Sequence, residues 1–204
     1  MKRYLMEMLG AMFLTLAITL TGNALAIGVM LAVLVYVGAH ISGGHYNPAV
    51  SLAVWMRKGL KTDTLMKYIG VQTIGALLAA VVYNKLTGNH FPLEETPGVH
   101  IGWAIIMEAL LTGLLCLTVL TVSMSSQFKN GEIYGLATGL ALLAIASIGG
   151  LFNPAVALGA MLCSVISGGA MGSMNAMLVF LVAPLLGGAL AAMAYQYLNS
   201  SKKA

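Results

Sequence analysis

The sequence predicts an all-α membrane protein, with six transmembrane helices plus two re-entrant half-helices arranged as an inverted repeat. Three observations carry that expectation. Hydrophobic residues make up 59% of the 204-residue chain and charged residues only 8%, with a mean hydropathy of +0.92, whereas soluble domains are roughly 25% charged. One eight-residue phrase occurs twice, as GGHYNPAV at 43–50 and GGLFNPAV at 149–156. The basic residues, finally, gather at the ends of the apolar runs, as membrane topology requires. Net charge is +4, but no basic cluster is interleaved with aromatics, so nucleic acid is not an expected partner. The lipid bilayer is.

Taken in order, Lys2 and Arg3 precede an apolar run from about Tyr4 to Thr21, broken only by Glu7. No persuasive cleavage site follows, so the run reads as a first span rather than a secretory signal. Gly22-Asn23 makes a tight turn into a second span ending near Ile41. The first phrase leads into a short apolar stretch, Pro48 to Arg57, closed by Arg57-Lys58-Gly59. At ~1.5 Å per residue it covers about half of a ~30 Å hydrocarbon core. It enters a membrane without crossing it. A third span runs from about Thr64 to Leu86, and the polar stretch 87–100 separates the two halves. The fourth span, about Ile101 to Met124, carries Glu108. A polar connector at 125–132 precedes a short fifth span, Ile133 to about Ile148. The second phrase opens a second short helix, Pro154 to about Cys163, and the sixth span covers about Met174 to Leu198. One transmembrane domain, 1–204, therefore holds a first repeat at about 1–87, a linker at 88–100 and a second repeat at about 101–198.

Each phrase has the grammar of a loop turning into a helix. Glycine supplies the turn, Asn47 and Asn153 are favoured N-caps, and Pro48 and Pro154 fit the first helical position, which needs no N–H. With a cytoplasmic N-terminus, Lys2, Arg3, Arg57, Lys58, Lys61, Lys67, Lys129, Lys202 and Lys203 fall inside and only Lys85 outside, as the positive-inside rule favours. The C-terminus returns to the cytoplasm. The two half-helices then enter from opposite sides and point their N-termini at each other. Glu7 precedes Asn47 by 40 residues and Glu108 precedes Asn153 by 45. Gln72-x-x-Gly75-x-x-x-Ala79 is echoed by Pro184-x-x-Gly187-x-x-x-Ala191. Three spans per half put the copies in opposite orientation, and small residues four apart, including Gly135-x-x-x-Gly139, let helices approach closely.

These residues resemble the aquaporin, or major intrinsic protein, family. The resemblance rests on His40-Ile-Ser-Gly-Gly-His45-Tyr-Asn-Pro-Ala-Val50, the second Asn153-Pro-Ala155, the paired Glu7 and Glu108, and the Gln72 and Pro184 helices. It covers essentially the whole chain. It implies a six-span bundle with a central pore in each subunit, a homotetramer in the cell membrane, and water or small neutral solutes such as glycerol, urea or ammonia as the permeants. It places Asn47, Pro48, Ala49, Asn153, Pro154 and Ala155 at the centre of the pore. The selectivity constriction maps to Ile27, Gly150, Val156 and a fourth position within Ala141–Ala144, taken as Ala141. The family usually has an arginine where this chain has Val156, so the polar, cationic ring of strict water channels is absent.

The physics of the half-helices points the same way. Two facing N-termini each bring roughly half a positive charge to the midplane, which opposes cations and protons while a neutral dipole passes. The asparagine amides can cap their helices and still turn NH₂ donors to the lumen. Irregular backbone is tolerated in a membrane where it lines a cavity, which assigns the carbonyls of Gly43, Gly44, His45, Gly149, Gly150 and Leu151 to the pore wall.

Glu7 and Glu108 read either as braces accepting loop N–H bonds or as the ionisable groups of a proton-coupled transporter. The resemblance implies that His45 lines the cytoplasmic mouth, neutral or pH-sensing, and His40 reads as a buried, satisfied histidine. Cys116 and Cys163 read as small core residues. Nothing in the sequence suggests a metal, a cofactor, a nucleophile–base pair or a phosphate loop. A passive channel is the expected function; the alternatives are a secondary transporter with inverted repeats and a non-conducting structural membrane protein.

Overall fold

In the computed structural model of the chain, residues 1–93, 98–128 and 131–200 are described. Helix α1 (Lys2–Thr21) ends at Gly22, whose left-handed backbone (φ 56°) begins the reversal into α2 (Ala24–Ser42). Asn23 completes it, its Oδ1 accepting a hydrogen bond from the Ala26 N–H at 3.0 Å. The first half-helix, α3 (Pro48–Met56), and the second, α7 (Pro154–Ile166), both place proline in the first turn behind an asparagine cap. They contain 9 and 13 residues, or ~13 and ~20 Å, too short to cross a bilayer. Between and after them run α4 (Thr62–Thr87), α5 (Ile101–Met124), α6 (Tyr134–Ile148) and α8 (Met174–Asn199).

Helices α1, α2, α4, α5 and α8 are long and apolar enough to span a membrane, and α6 is the shorter sixth, at 15 residues. A π turn over Leu178–Val182 interrupts α8 just before Pro184. Proline has no N–H to donate and its ring collides with the carbonyl four residues back; a widened turn is one way to relieve that collision.

Several expectations shift. Helix α7 continues three residues past Cys163, and its C-terminus is closed by the Gly169 N–H on Ser164 O at 2.8 Å. Helix α3 stops at Met56, one residue early. His40 was expected to be buried and is exposed instead, because the glycine pair that follows turns the chain inward only after it. Lys129, Lys202 and Lys203, used in the topology argument, lie outside the described residues, as does part of the linker. Cys116 and Cys163 are buried and free.

The halves pack by matching contacts. A methyl group on Gly75 of α4 would stand 2.1 Å from Met8 O of α1, and one on Gly187 of α8 would stand 2.2 Å from Ala109 O of α5. Helices α2 and α6 cross where Gly28 and Gly139 meet, each close to the other's carbonyl oxygen. The half-helices are exchanged between repeats: α3 lies on α8, where Gly188 faces Ala49 O, and α7 lies on α4, where Gly159 faces Ala76. That exchange brings the two asparagine caps together at the centre. Large apolar side chains such as Leu25, Val33, Trp103, Leu110 and Leu190 are exposed on the outside, as befits a lipid-facing surface.

Candidate functional site at the junction of the half-helices

Both asparagines cap their own helices. Asn47 Oδ1 accepts from the Ala49 N–H at 2.8 Å, and Asn153 Oδ1 accepts from the Ala155 N–H at 3.1 Å. Their amide nitrogens reach across: Asn47 Nδ2 donates to Phe152 O at 2.8 Å, and Asn153 Nδ2 donates to Tyr46 O at 3.0 Å. The two N-termini are therefore tied together by a reciprocal pair of hydrogen bonds. This sharpens the sequence reading, which left both amide hydrogens free. One hydrogen of each NH₂ goes to the opposite loop and one remains.

The residue before each asparagine pays a conformational cost. Tyr46 and Phe152 both sit in the left-handed region, at φ 50° and 59°, where a non-glycine residue is disfavoured by about 1–2 kcal/mol. A buried carboxylate holds each one. Glu7, fully buried, accepts the N–H groups of His45 (3.0 Å, Oε1) and Tyr46 (2.7 Å, Oε2). Glu108 accepts the N–H groups of Leu151, at 3.1 Å on Oε1, and Phe152.

The first loop carries further anchors that sequence reasoning did not assign. Ser42 Oγ donates to Glu7 Oε1 at 2.6 Å, and Gln72 Nε2 donates to Glu7 Oε2 at 2.8 Å. Tyr46 Oη donates to Leu34 O, Tyr68 Oη to Ser42 O, and Tyr134 Oη to Gly43 O. Gln72 was noticed only as part of a helix pattern; Ser51, which bonds to both Gln72 and His45, gave no signal beyond its place after the phrase.

A cavity of about 20 Å³ lies at the junction, touched by Asn47, Asn153, His45 and Gly44 and otherwise walled by apolar side chains such as Leu14, Leu31, Leu115 and Leu142. That is room for about one water. It adjoins a mouth of about 610 Å³ bounded by Gly43, His45, Gly59 and Tyr134, and His45 borders both spaces. A separate cavity of about 200 Å³ is lined by Glu108, Gly149 and Gly150.

The four positions mapped to the constriction do not share one cavity. Ile27 is buried among Leu14, Leu31 and Leu142, and Ala141 packs against the same cluster. Val156 is 1% exposed, packed with Leu151, Met161 and Phe180. Gly150 lines the cavity beside Glu108. Among the described residues, no group of three or more His, Cys, Asp or Glu could hold a metal ion.

Residues 4–195 match the family described as major intrinsic protein. The chain is 31% identical to glycerol uptake facilitator protein-like 6 of Lactiplantibacillus plantarum, over 98% of this chain and 99% of that one. It is 29% identical to aquaporin AqpM of Methanothermobacter thermautotrophicus, over 86% of this chain and 76% of the relative. Its fold is similar to that of the aquaglyceroporin from Plasmodium falciparum, with a TM-score of 0.82 at 23% identity, covering 95% of this chain and 94% of that one.

Proposed function

We infer, from a chain that belongs to the major intrinsic protein family, a passive membrane channel for water and small uncharged solutes, whose pathway is centred on Asn47 and Asn153. The observation that carries this reading is the reciprocal bond between the half-helices, Asn47 Nδ2 to Phe152 O and Asn153 Nδ2 to Tyr46 O. It fixes two positive helix ends face to face, roughly half a charge each, around a cavity that has room for about one water. Cations and protons meet that field unshielded, while a neutral solute exchanges its hydrogen bonds for the remaining amide hydrogens and the loop carbonyls. Pro48, Ala49, Pro154 and Ala155 set the helix starts, the carbonyls of Gly43, Gly44, His45, Gly149, Gly150 and Leu151 form the polar stripe, and Glu7 and Glu108 brace the loops.

The N-terminus lies in the cytoplasm, with Lys2, Arg3, Arg57, Lys58, Lys61 and Lys67 on that side and Lys85 opposite. The mouth beside His45 is then the inner one. Lipid and sister subunits of a homotetramer in the cell membrane cover the exposed apolar faces.

Of the four positions mapped to the constriction, Ile27, Ala141 and Val156 are aliphatic and packed in apolar clusters, and Gly150 lines the cavity beside Glu108, so none of them supplies a cation. A pathway without that cation is expected to pass glycerol as well as water. Reconstitution in liposomes tests this directly by osmotic swelling against water, glycerol and ammonia gradients. Glycerol is expected to pass at a rate well above that of empty vesicles, with proton leakage unchanged. Val156→Arg is expected to lower the glycerol flux more than the water flux. If Val156→Arg assembles like the wild type and alters neither flux, this position does not control the filter.

A further inference from the structure

We propose that Ser51 and Gln72 are positioning residues which fix His45 as a hydrogen-bond donor at the inner mouth, so that the channel favours solutes bearing a lone-pair acceptor over apolar gases. The proposal deepens the channel reading and rests on it for its functional half.

The argument starts at Glu7. Its two oxygens receive four donors: Ser42 Oγ and the His45 N–H on one, the Tyr46 N–H and Gln72 Nε2 on the other. A carboxylate so filled acts only as an acceptor. Gln72 must therefore turn its NH₂ toward it, and the second hydrogen of that NH₂ points to Ser51 Oγ, 3.0 Å away. The orientation has a cost, since Gln72 Oε1 is left buried with no partner among the described residues. Ser51 Oγ thus accepts from Gln72. Its own hydrogen has one acceptor among the bonds observed, His45 Nδ1 at 3.1 Å.

In a neutral imidazole one nitrogen accepts and the other carries the proton. If Nδ1 accepts from Ser51, Nε2 carries the hydrogen. The opposite tautomer would leave Ser51 accepting from two donors with its own hydrogen unserved. The ring is also held in place: Tyr68 meets it edge-on, with centroids 5.5 Å apart.

Nε2 lies on the Gly43 side of the ring, where a methyl group on residue 43 would stand 2.9 Å from it. His45 borders both the inner mouth and the central cavity. A solute entering from inside meets the Nε2–H donor first and the amide donors of Asn47 and Asn153 next. Water, an alcohol or a carbonyl compound can accept from that series, and an apolar gas cannot. The second half has no counterpart, because Leu151, Ala157 and Pro184 stand where His45, Ser51 and Gln72 stand in the first.

The test is solid-state nitrogen NMR of histidine-labelled protein in liposomes, with His45 assigned by the signals lost in His45→Asn, combined with flux measurements on the same vesicles. Wild type is expected to show one His45 tautomer, protonated at Nε2. Ser51→Ala is expected to populate the Nδ1-protonated form and to lower glycerol flux about two- to tenfold, the effect of one lost hydrogen bond. Ser51→Thr keeps the hydroxyl and should restore both. A wild-type ring protonated at Nδ1, or a tautomer that Ser51→Ala leaves unchanged, overturns the positioning role. Flux equal in Ser51→Ala and wild type despite a switched tautomer overturns the selectivity role. A wild type that conducts nothing, yet shows the switch, overturns the channel reading and leaves the positioning of His45 supported.

Discussion

The loop around Glu7 and the loop around Glu108 carry nearly the same phrase and share a left-handed residue before the asparagine cap, yet they are held by different means. In the first, the carboxylate gathers two backbone N–H groups and the side chains of Ser42 and Gln72, and Tyr46 and Tyr134 add hydroxyl bonds to neighbouring carbonyls. In the second, Glu108 receives, among the described residues, the N–H groups of Leu151 and Phe152 alone. Ile148, Ala157 and Pro184 occupy the positions of Ser42, Ser51 and Gln72, and Phe152 has no hydroxyl to match Tyr46. Packing of Leu151, Val156, Met161, Val179 and Phe180 takes over. A left-handed residue before a helix cap can thus be stabilised either by a polar network or by one carboxylate within an apolar cluster. The carboxylate is common to both.

The largest expected effect comes from changing each carboxylate to its amide, and it should be unequal. An amide accepts on its oxygen but not on its nitrogen. At Glu7 each oxygen serves one backbone N–H and one side chain, so whichever one becomes NH₂, the N–H of His45 or Tyr46 loses its acceptor and Ser42 or Gln72 must reorient. At about 1–3 kcal/mol for each buried unsatisfied group, Glu7→Gln should sharply lower the unfolding temperature in detergent and abolish flux. At Glu108, Oε1 accepts from both Leu151 and Phe152, while Oε2 shares only the Leu151 N–H. An NH₂ in the Oε2 position leaves no N–H unserved, so Glu108→Gln should unfold at a temperature much closer to that of the wild type. Equal losses for the two variants would show that the extra donors around Glu7 contribute little.

Helix packing provides the symmetric control. Gly75 and Gly187 face backbone carbonyls at nearly the same distance in the two halves, and a backbone oxygen cannot move aside as a flexible side chain can. Gly75→Ala and Gly187→Ala should each destabilise by about 1–3 kcal/mol, and by similar amounts. Thermal unfolding of the pair measures this. A large difference between them would mean that the halves diverge in their helix contacts as well as in their loops.

What was legible in the sequence is what the repeat writes twice. The half-helices, the proline starts, the paired glutamates and the close glycines recur at matched positions, so each copy supported the other. What was hidden exists in one copy or depends on distant contacts. The Ser51–His45 bond joins neighbours in sequence, but its direction is set by Gln72 and Glu7, residues brought together from two other helices. The π turn before Pro184 follows from a local clash whose relief, a kink or a widened turn, local sequence does not decide. His40 lies just before the phrase and was expected to be buried like His45, but the turn between them leaves His40 exposed and sends His45 inward. The family resemblance mapped the constriction to small or aliphatic positions, with the fourth left within Ala141–Ala144, while the packing that places Val156 in a cluster apart from Ile27 came from the fold.

The smallest expected effect asks whether the polar network can be transplanted. Ala157 stands where Ser51 stands in the first half, and it is fully buried. Ala157→Ser installs the hydroxyl without the rest of the relay, since Leu151 has no ring nitrogen and Pro184 no amide. The new hydroxyl can still bond to a carbonyl three or four residues back in its own helix, so it need not be left unsatisfied. The expected outcome is a stability change below about 1 kcal/mol and unchanged solute flux, read by thermal unfolding and vesicle swelling. If Ala157→Ser instead alters flux as strongly as Ser51→Ala, the hydroxyl acts through the half-helix itself, by bending its first turn, and the asymmetry between the loops does not depend on His45.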